Sequence, residues 1–263
     1  SDTYSKKKMG GMFSYYSTLP WMPLKYSMSV VPSVYSFTIL RSQKEKNNSI
    51  NSFVGIGNPI FNDDKSIDVS SIAFNDIFTK GGIADIKKIN QFASLPETEK
   101  ELRLIAKNFL PQNTQLYLKK EASEEIIKTA NLSKADVIAF STHATVSGEL
   151  GIAEPGLILT PPKTGSKEND GILTASEIAE LKLNANLVLL SACNTAGSGK
   201  YGTEPLSGLV RAFFFAGAKS LLVSHWSVES ESAYRITTKM FERIAAGDTK
   251  SEALRKSIVY LIK

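Results

Sequence analysis

Two residues of this chain have side chains suited to nucleophilic catalysis, and each stands at the end of an apolar run. His143 closes Val137-Ile-Ala-Phe-Ser-Thr-His143-Ala144, and Cys193 closes Leu187-Val-Leu-Leu-Ser-Ala-Cys193-Asn194, about 50 positions later. Cys193 is the single cysteine of the chain. Thiolate is the attacking species, and a free thiol with a pKa of about 8.5 supplies only a few per cent of it at neutral pH. A neighbouring imidazole must therefore take the proton, which makes Cys193 the candidate nucleophile and His143 the candidate base that later protonates a leaving amine. The oxyanion formed on attack needs fixed donors. The backbone N–H groups of Ala144 and Cys193 are the candidates, each such donor being worth about 3 to 4 kcal/mol in the transition state.

Both runs are β-branched or aliphatic and turn abruptly to small and polar residues, the pattern of buried parallel strands emerging at a sheet edge. Chemistry in open α/β sheets sits at that edge. A third run, Ser220-Leu-Leu-Val-Ser-His225, ends the same way. His225 is therefore a further candidate, either lining the substrate cleft or replacing His143 as base, although a hydrogen-bonded structural histidine beside Trp226 is the more ordinary reading. The loops after these strands carry acids at Glu149, Glu154, Asp170, Glu204 and Glu229 among lysines at 163, 167 and 200. Asp170 and Glu204 join His225 as substrate-binding candidates. A buried carboxylate there would select Arg or Lys at the cleaved position, and an apolar pocket Leu or Met.

From about residue 87 to the end, helix and strand signals alternate with short connections, which predicts a mainly parallel sheet flanked by helices on both faces. Pro96, followed by Glu97, Glu99 and Glu101, opens a helix with apolar positions Leu102, Ile105, Ala106 and Phe109. Thr174-Ala-Ser-Glu177 has the spacing of a capping box, and Pro205 and Gly217 bracket a helix carrying Leu209, Val210, Phe213 and Phe214. Residues 1–86 have a different texture, with clustered aromatics such as Tyr15, Tyr16, Trp21 and Tyr26 and strand-like runs at 29–40 and 52–56. They are expected to form a smaller sheet-bearing subdomain packed on a catalytic domain of residues 87–263.

Composition narrows the function classes. With 263 residues, 42% of them hydrophobic, the chain can bury a sizeable core. The formal charge of +5, from 31 basic and 26 acidic residues, is spread along the sequence, which argues against nucleic-acid binding. One cysteine excludes an intramolecular disulfide, and with two histidines no Cys/His zinc spacing can be assembled. No run approaches the roughly 18 apolar residues of a membrane helix, and the setting expected is soluble, reducing and cytoplasmic. Ala196-Gly-Ser-Gly-Lys200-Tyr201 fails as a phosphate loop because Tyr201 follows the Gly-Lys pair in place of Ser or Thr. No cofactor is expected.

Read in order, Val31-Pro-Ser33, Gly57-Asn-Pro59, Leu95-Pro96 with Glu99 to Glu101, Ser141-Thr-His143-Ala144, Asp170-Gly-Ile-Leu-Thr174, Leu189-Leu-Ser-Ala-Cys193, Leu209-Val-Arg-Ala-Phe213 and Ser224-His-Trp226 resemble the CHAT domain. That domain is a bacterial relative of caspases and separase, and the resemblance runs over nearly the whole chain. It implies a caspase-like α/β fold, a cysteine endopeptidase activity and His143 and Cys193 as the dyad. It also implies a protein substrate and an activating protein or sensor domain, since family members are commonly fused to helical repeats. No such repeats are visible, so the sequence reads as the effector portion of a longer protein or as one regulated in another way. Two positions depart from the family pattern: Asn194-Thr195-Ala196 replaces an acidic residue with Thr-Gly after the cysteine, and His225 replaces an aliphatic residue before Trp226. Two other classes fit the same residues: a catalytically silent interaction module using the same edge, and a Cys-His acyltransferase or esterase.

Overall fold

The computed structural model describes residues 17–31, 38, 50–61, 83–145, 154–191, 207–224 and 230–262. In chain order its strands are Phe53–Gly57 (β1), Thr114–Leu118 (β2), Val137–Ser141 (β3), Ala144–Thr145 (β4), Gly156–Ile158 (β5), Ile172–Thr174 (β6), Leu187–Leu190 (β7) and Leu221–Val223 (β8). Its α-helices are Ile86–Ile89 (α1), Pro96–Ala106 (α2), Glu124–Thr129 (α3), Ala175–Glu180 (α4), Ser207–Ala216 (α5), Ser230–Ala245 (α6) and Lys250–Ile262 (α7). Five strands pair in the order β2-β1-β3-β7-β8, every pair parallel, with Phe53 opposite both Thr114 and Val137, and Val137 opposite Leu187.

The period of two along these strands sorts the core into two layers. Val54, Ile56, Ile138, Phe140, Val188 and Leu190 share one hydrophobic cluster with Ile127 of α3, Ile178 of α4, and Leu209 and Phe213 of α5. On the opposite face Phe53 stacks on Phe109, ring centroids 5.1 Å apart, and Leu102 of α2 lies against the glycines of β1. Helices thus cover both faces, so the inner strands are apolar throughout instead of alternating. Gly57 is required by close approach: a Cβ there would stand 2.7 Å from both Leu102 Cδ1 and the Ser141 carbonyl oxygen.

A second, antiparallel sheet runs β4-β5-β6. The capping box expected at residues 174–177 opens α4: Thr174 Oγ1 accepts from the Glu177 N–H, and Glu177 Oε2 accepts from the Thr174 N–H at 2.9 Å. Gly217, at φ +109°, ends α5. The mainly parallel sheet and its two helical layers match the expected α/β, caspase-like class, while the small sheet is built from residues 144–174 and not from the N-terminal segment.

By its contacts the chain forms two compact units, Asn48–Tyr234, and Ser1–Asn47 together with Arg235–Lys263. The run at 52–56, expected in a separate N-terminal sheet, is instead second from the edge of the main sheet, between β2 and β3. Its tertiary partners override its position in the chain. The strand-like run at 29–40 lies mostly outside the described residues. In the smaller unit the turn Met22–Leu24 meets α7, where the Arg255 guanidinium donates to the Pro23 and Leu24 carbonyls at 3.3 and 3.4 Å. Arg255 also pairs with Glu252, and that guanidinium together with the Ser27 hydroxyl pulls the Glu252 carboxyl down to about 2. No described helix is long and apolar enough to cross a membrane.

Candidate functional site

Main-sheet strands in the order found here reverse direction of growth between β1 and β3, and the crevice outside their carboxyl ends is the place where such folds bind ligands. β3 delivers His143 there, because the chain leaves the sheet after Ser141 and re-pairs at once as β4. The exit is pinned by short-range bonds: Thr142 Oγ1 donates to the Ile158 carbonyl, and the Ile158 N–H donates to the His143 carbonyl at 2.9 Å. The backbone of residue 143 is therefore held from both sides of its peptide.

The imidazole is oriented as firmly. His143 is 1% exposed, and its Nε2 lies 2.8 Å from the Ala93 carbonyl oxygen. A carbonyl can only accept, so Nε2 carries the hydrogen and Nδ1 keeps its lone pair. Nδ1 is buried and has no hydrogen-bond partner among the described residues. An unpartnered buried acceptor is uncommon enough to demand an explanation, and a basic nitrogen held ready for a proton is one. Phe92 and Phe61 pack on the ring, at centroid distances of 5.2 and 5.9 Å. Both belong to an apolar cluster with Ala84, Ile89, Ile158 and Ile172.

Burial in this box pushes the His143 pKa below its ordinary value of 6.5, outweighing the bond to Ala93 and the Glu97 charge, which act in the opposite direction. The imidazole is thus neutral near pH 7, the state a general base requires. The unfolded chain binds this proton more readily, so the stability contributed by neutral His143 is complete above pH 6.5 and is lost as pH falls from there through the lowered value. Urea unfolding of the wild type and His143→Leu from pH 7.5 to 5 is expected to show the wild type losing stability relative to the variant on acidification, by at most about 1.4 kcal/mol per pH unit. A constant difference would contradict the lowered pKa.

The second chain exit is that of β7. Phe140 is in register with Leu190, and the Ser191 N–H donates to the Phe140 carbonyl at 2.9 Å, so the ladder continues to Ser191 beside Ser141. His143 and Cys193 each follow two positions after these serines. Cys193 itself, Glu204 and His225 lie outside the described residues. The bond from Ile158 N–H to His143 C=O places Ala144 opposite Leu157 in the kind of antiparallel pair that exchanges no ladder bonds, so the Ala144 N–H turns away from β5. It is free of the small sheet's ladder, as an oxyanion donor has to be.

Asp170, expected among the substrate-binding acids, is 6% exposed and engaged within the fold. Its Oδ2 accepts from the Ala84 N–H at 2.7 Å and its Oδ1 from the Ile172 N–H at 3.0 Å. Burial pushes its pKa up against those two bonds. The carboxyl ties residue 84 to the start of β6 and leaves no oxygen without a backbone partner. Glu154 likewise bonds the Ser176 N–H and hydroxyl, at 2.9 and 2.6 Å. Among the described residues no group of His, Cys, Asp and Glu side chains is arranged to hold a metal ion.

The residue that orients His143 was not among the sequence candidates, because the group concerned is a backbone carbonyl and any residue type supplies one. Phe61 and Phe92 escaped for a related reason, since their meeting with His143 is a long-range contact. Glu101 did leave a signal. The buried face of α2 is Thr98, Glu101, Leu102 and Ile105, spaced i, i+3, i+4, i+7, so a carboxyl stands inside the apolar stripe.

Comparison with known proteins gives two findings. The model of the family described as CHAT domain matches residues 16–263. The chain is also 26% identical over 171 residues to the Mus musculus protein named Tetratricopeptide repeat protein 28, an alignment covering 52% of this chain and 7% of that relative. The chain therefore spans a small fraction of the curated relative it matches.

Proposed function

Because the chain belongs to the CHAT domain family, a caspase-like family, we propose that it is a cysteine endopeptidase with Cys193 as nucleophile and His143 as general base. The observation that carries this reading is the state of His143: neutral, fixed through Nε2 on the Ala93 carbonyl, with Nδ1 unpartnered among the described residues. In the first step the Cys193 thiol gives its proton to Nδ1 as Sγ attacks the substrate carbonyl carbon. The negative charge moves to the carbonyl oxygen, where the Ala144 and Cys193 N–H groups donate to it. The imidazolium then returns the proton to the leaving amine, the C–N bond breaks, and an acyl-enzyme remains. Water, deprotonated by the same nitrogen, hydrolyses the thioester and restores the thiol. Throughout, the Ala93 carbonyl accepts the Nε2 hydrogen, which stabilises the imidazolium and prevents the ring from turning.

The substrate is a specific protein, in a reducing, cytoplasmic setting, and neither a cofactor nor a nucleic acid takes part. Activation comes from a partner protein or a fused sensor. The mouse relative is named for tetratricopeptide repeats, and a helical repeat of that kind is the sensor this reading favours. A survey of new peptide termini in a host lysate treated with wild-type protein or Cys193→Ala tests the reading. New termini found only with the wild type are expected. Hydrolysis of ester or thioester probes without new protein termini, or an unchanged pattern in the presence of the activating partner, would replace it with an acyltransferase or a silent interaction module.

A further inference from the structure

Glu101 is 3% exposed, on the face of α2 that packs against the main sheet. A carboxyl in an apolar stripe is costly unless each oxygen is hydrogen-bonded. Each oxygen accepts from a serine hydroxyl: Ser141 Oγ donates to Oε2 at 3.0 Å, and Ser191 Oγ donates to Oε1 at 3.1 Å. These serines sit on neighbouring strands, each one position beyond the paired Phe140 and Leu190. They follow directly on the last registered pair of β3 and β7, and the Ser191 N–H still donates to the Phe140 carbonyl. The offset from serine to candidate catalytic residue is two positions in both chains. One carboxyl therefore ties both exits to one point on one helix.

We infer that Glu101 is a positioning residue, which through Ser141 and Ser191 sets the relative height of the two chain exits and so the spacing between the His143 imidazole and the Cys193 thiol. The inference rests on the proposed dyad. Near-attack geometry is sensitive to displacements of about an ångström, which cost on the order of 10²-fold in rate. The strand ladder alone does not supply such precision, because strand ends fray and the paired register of β3 and β7 ends at Phe140 and Leu190, one position before each serine. Glutamine can replace the carboxyl: its oxygen accepts from one serine and its amide nitrogen donates to the other. Leucine fills a similar volume and offers neither bond.

The test uses the single cysteine. The rate of Cys193 alkylation by iodoacetamide is measured from pH 5 to 9 for the wild type, His143→Ala, Glu101→Gln, Glu101→Leu and the double variant Ser141→Ala/Ser191→Ala. Amide hydrogen exchange at residues 141–145 and 191–193 is followed in parallel, and thermal unfolding checks the fold. Glu101→Leu and the double serine variant are expected to stay folded, exchange faster at both exits, and alkylate at least 10-fold more slowly at pH 7, with the profile of an unassisted thiol. Glu101→Gln is expected to stay within about 3-fold of the wild type. If His143→Ala slows alkylation while Glu101→Leu and the double serine variant retain the wild-type rate, profile and exchange, the positioning role is wrong and the dyad stands. If His143→Ala itself leaves the rate unchanged, the dyad is wrong, and the inference falls with it. Should either Glu101→Leu or the double serine variant fail to fold, the single variants Ser141→Ala and Ser191→Ala, each of which leaves the other serine bonded to the carboxyl, decide the same question by the same rate and exchange measurements.

Discussion

Replacing His143 with Ala is expected to lower peptide cleavage by about 10²- to 10⁴-fold, the range over which a positioned general base contributes. The loss should fall on kcat, with KM little changed, because the imidazole acts on the proton in flight and does not hold the ground-state substrate. Alkylation of Cys193 should then follow the titration of an ordinary thiol, half-maximal near pH 8.5. The effect comes from one nitrogen. With Nε2 hydrogen-bonded to Ala93, only Nδ1 can receive a proton, and no described side chain competes for it. A loss of less than about 3-fold would show that another group is the base, and His225→Ala would then be the variant to measure.

The second large effect is on stability. Phe140→Ala is expected to cost about 3 to 5 kcal/mol, the usual consequence of emptying a fully buried aromatic site. Phe140 has no exposed surface, stands on the strand flanked by β1 and β7, and meets Phe213 of α5 at a centroid distance of 5.4 Å. Domains hold only about 5 to 15 kcal/mol in reserve, so the variant loses a large share of its stability. Urea unfolding would show the shift in midpoint. Phe215→Ala is the control: that ring is 85% exposed, and the change should stay within about 0.5 kcal/mol. A comparable loss in both would mean that the cost does not arise from the cavity. Because Phe140 stands three positions before His143, its loss should also loosen the imidazole and slow catalysis at temperatures where the variant is still folded.

How much of this was legible beforehand differs from element to element. The strands at 137–141 and 187–190 and the helices at 96–106, 175–180 and 207–216 were readable because their signals are local: an apolar run, a proline at the first helical turn, a capping box, a glycine beyond the last turn. His143 and Cys193 are candidates by residue type and spacing; Cys193 lies outside the described residues, so the structure places only His143. The run at 52–56 reads as a strand, but nothing in its residues says which strands it joins, and it pairs with β2 and β3 of the main sheet. Asp170 looked like a loop acid available to a substrate. Its hydrogen bond to Ala84 depends on a chain segment 86 positions earlier.

The sequence by itself determined the layered α/β class and the parallel strands, since each follows from periodicity within a few positions. Only the tertiary structure decided the surroundings of His143. Its tautomer comes from a carbonyl 50 positions away, its lowered pKa from burial against Phe61, Phe92 and their neighbours, and the serine two positions before it is bonded by a carboxyl on α2, 40 positions earlier. Those properties are set by distances between groups remote in the chain, and a distance exists only once the chain has folded.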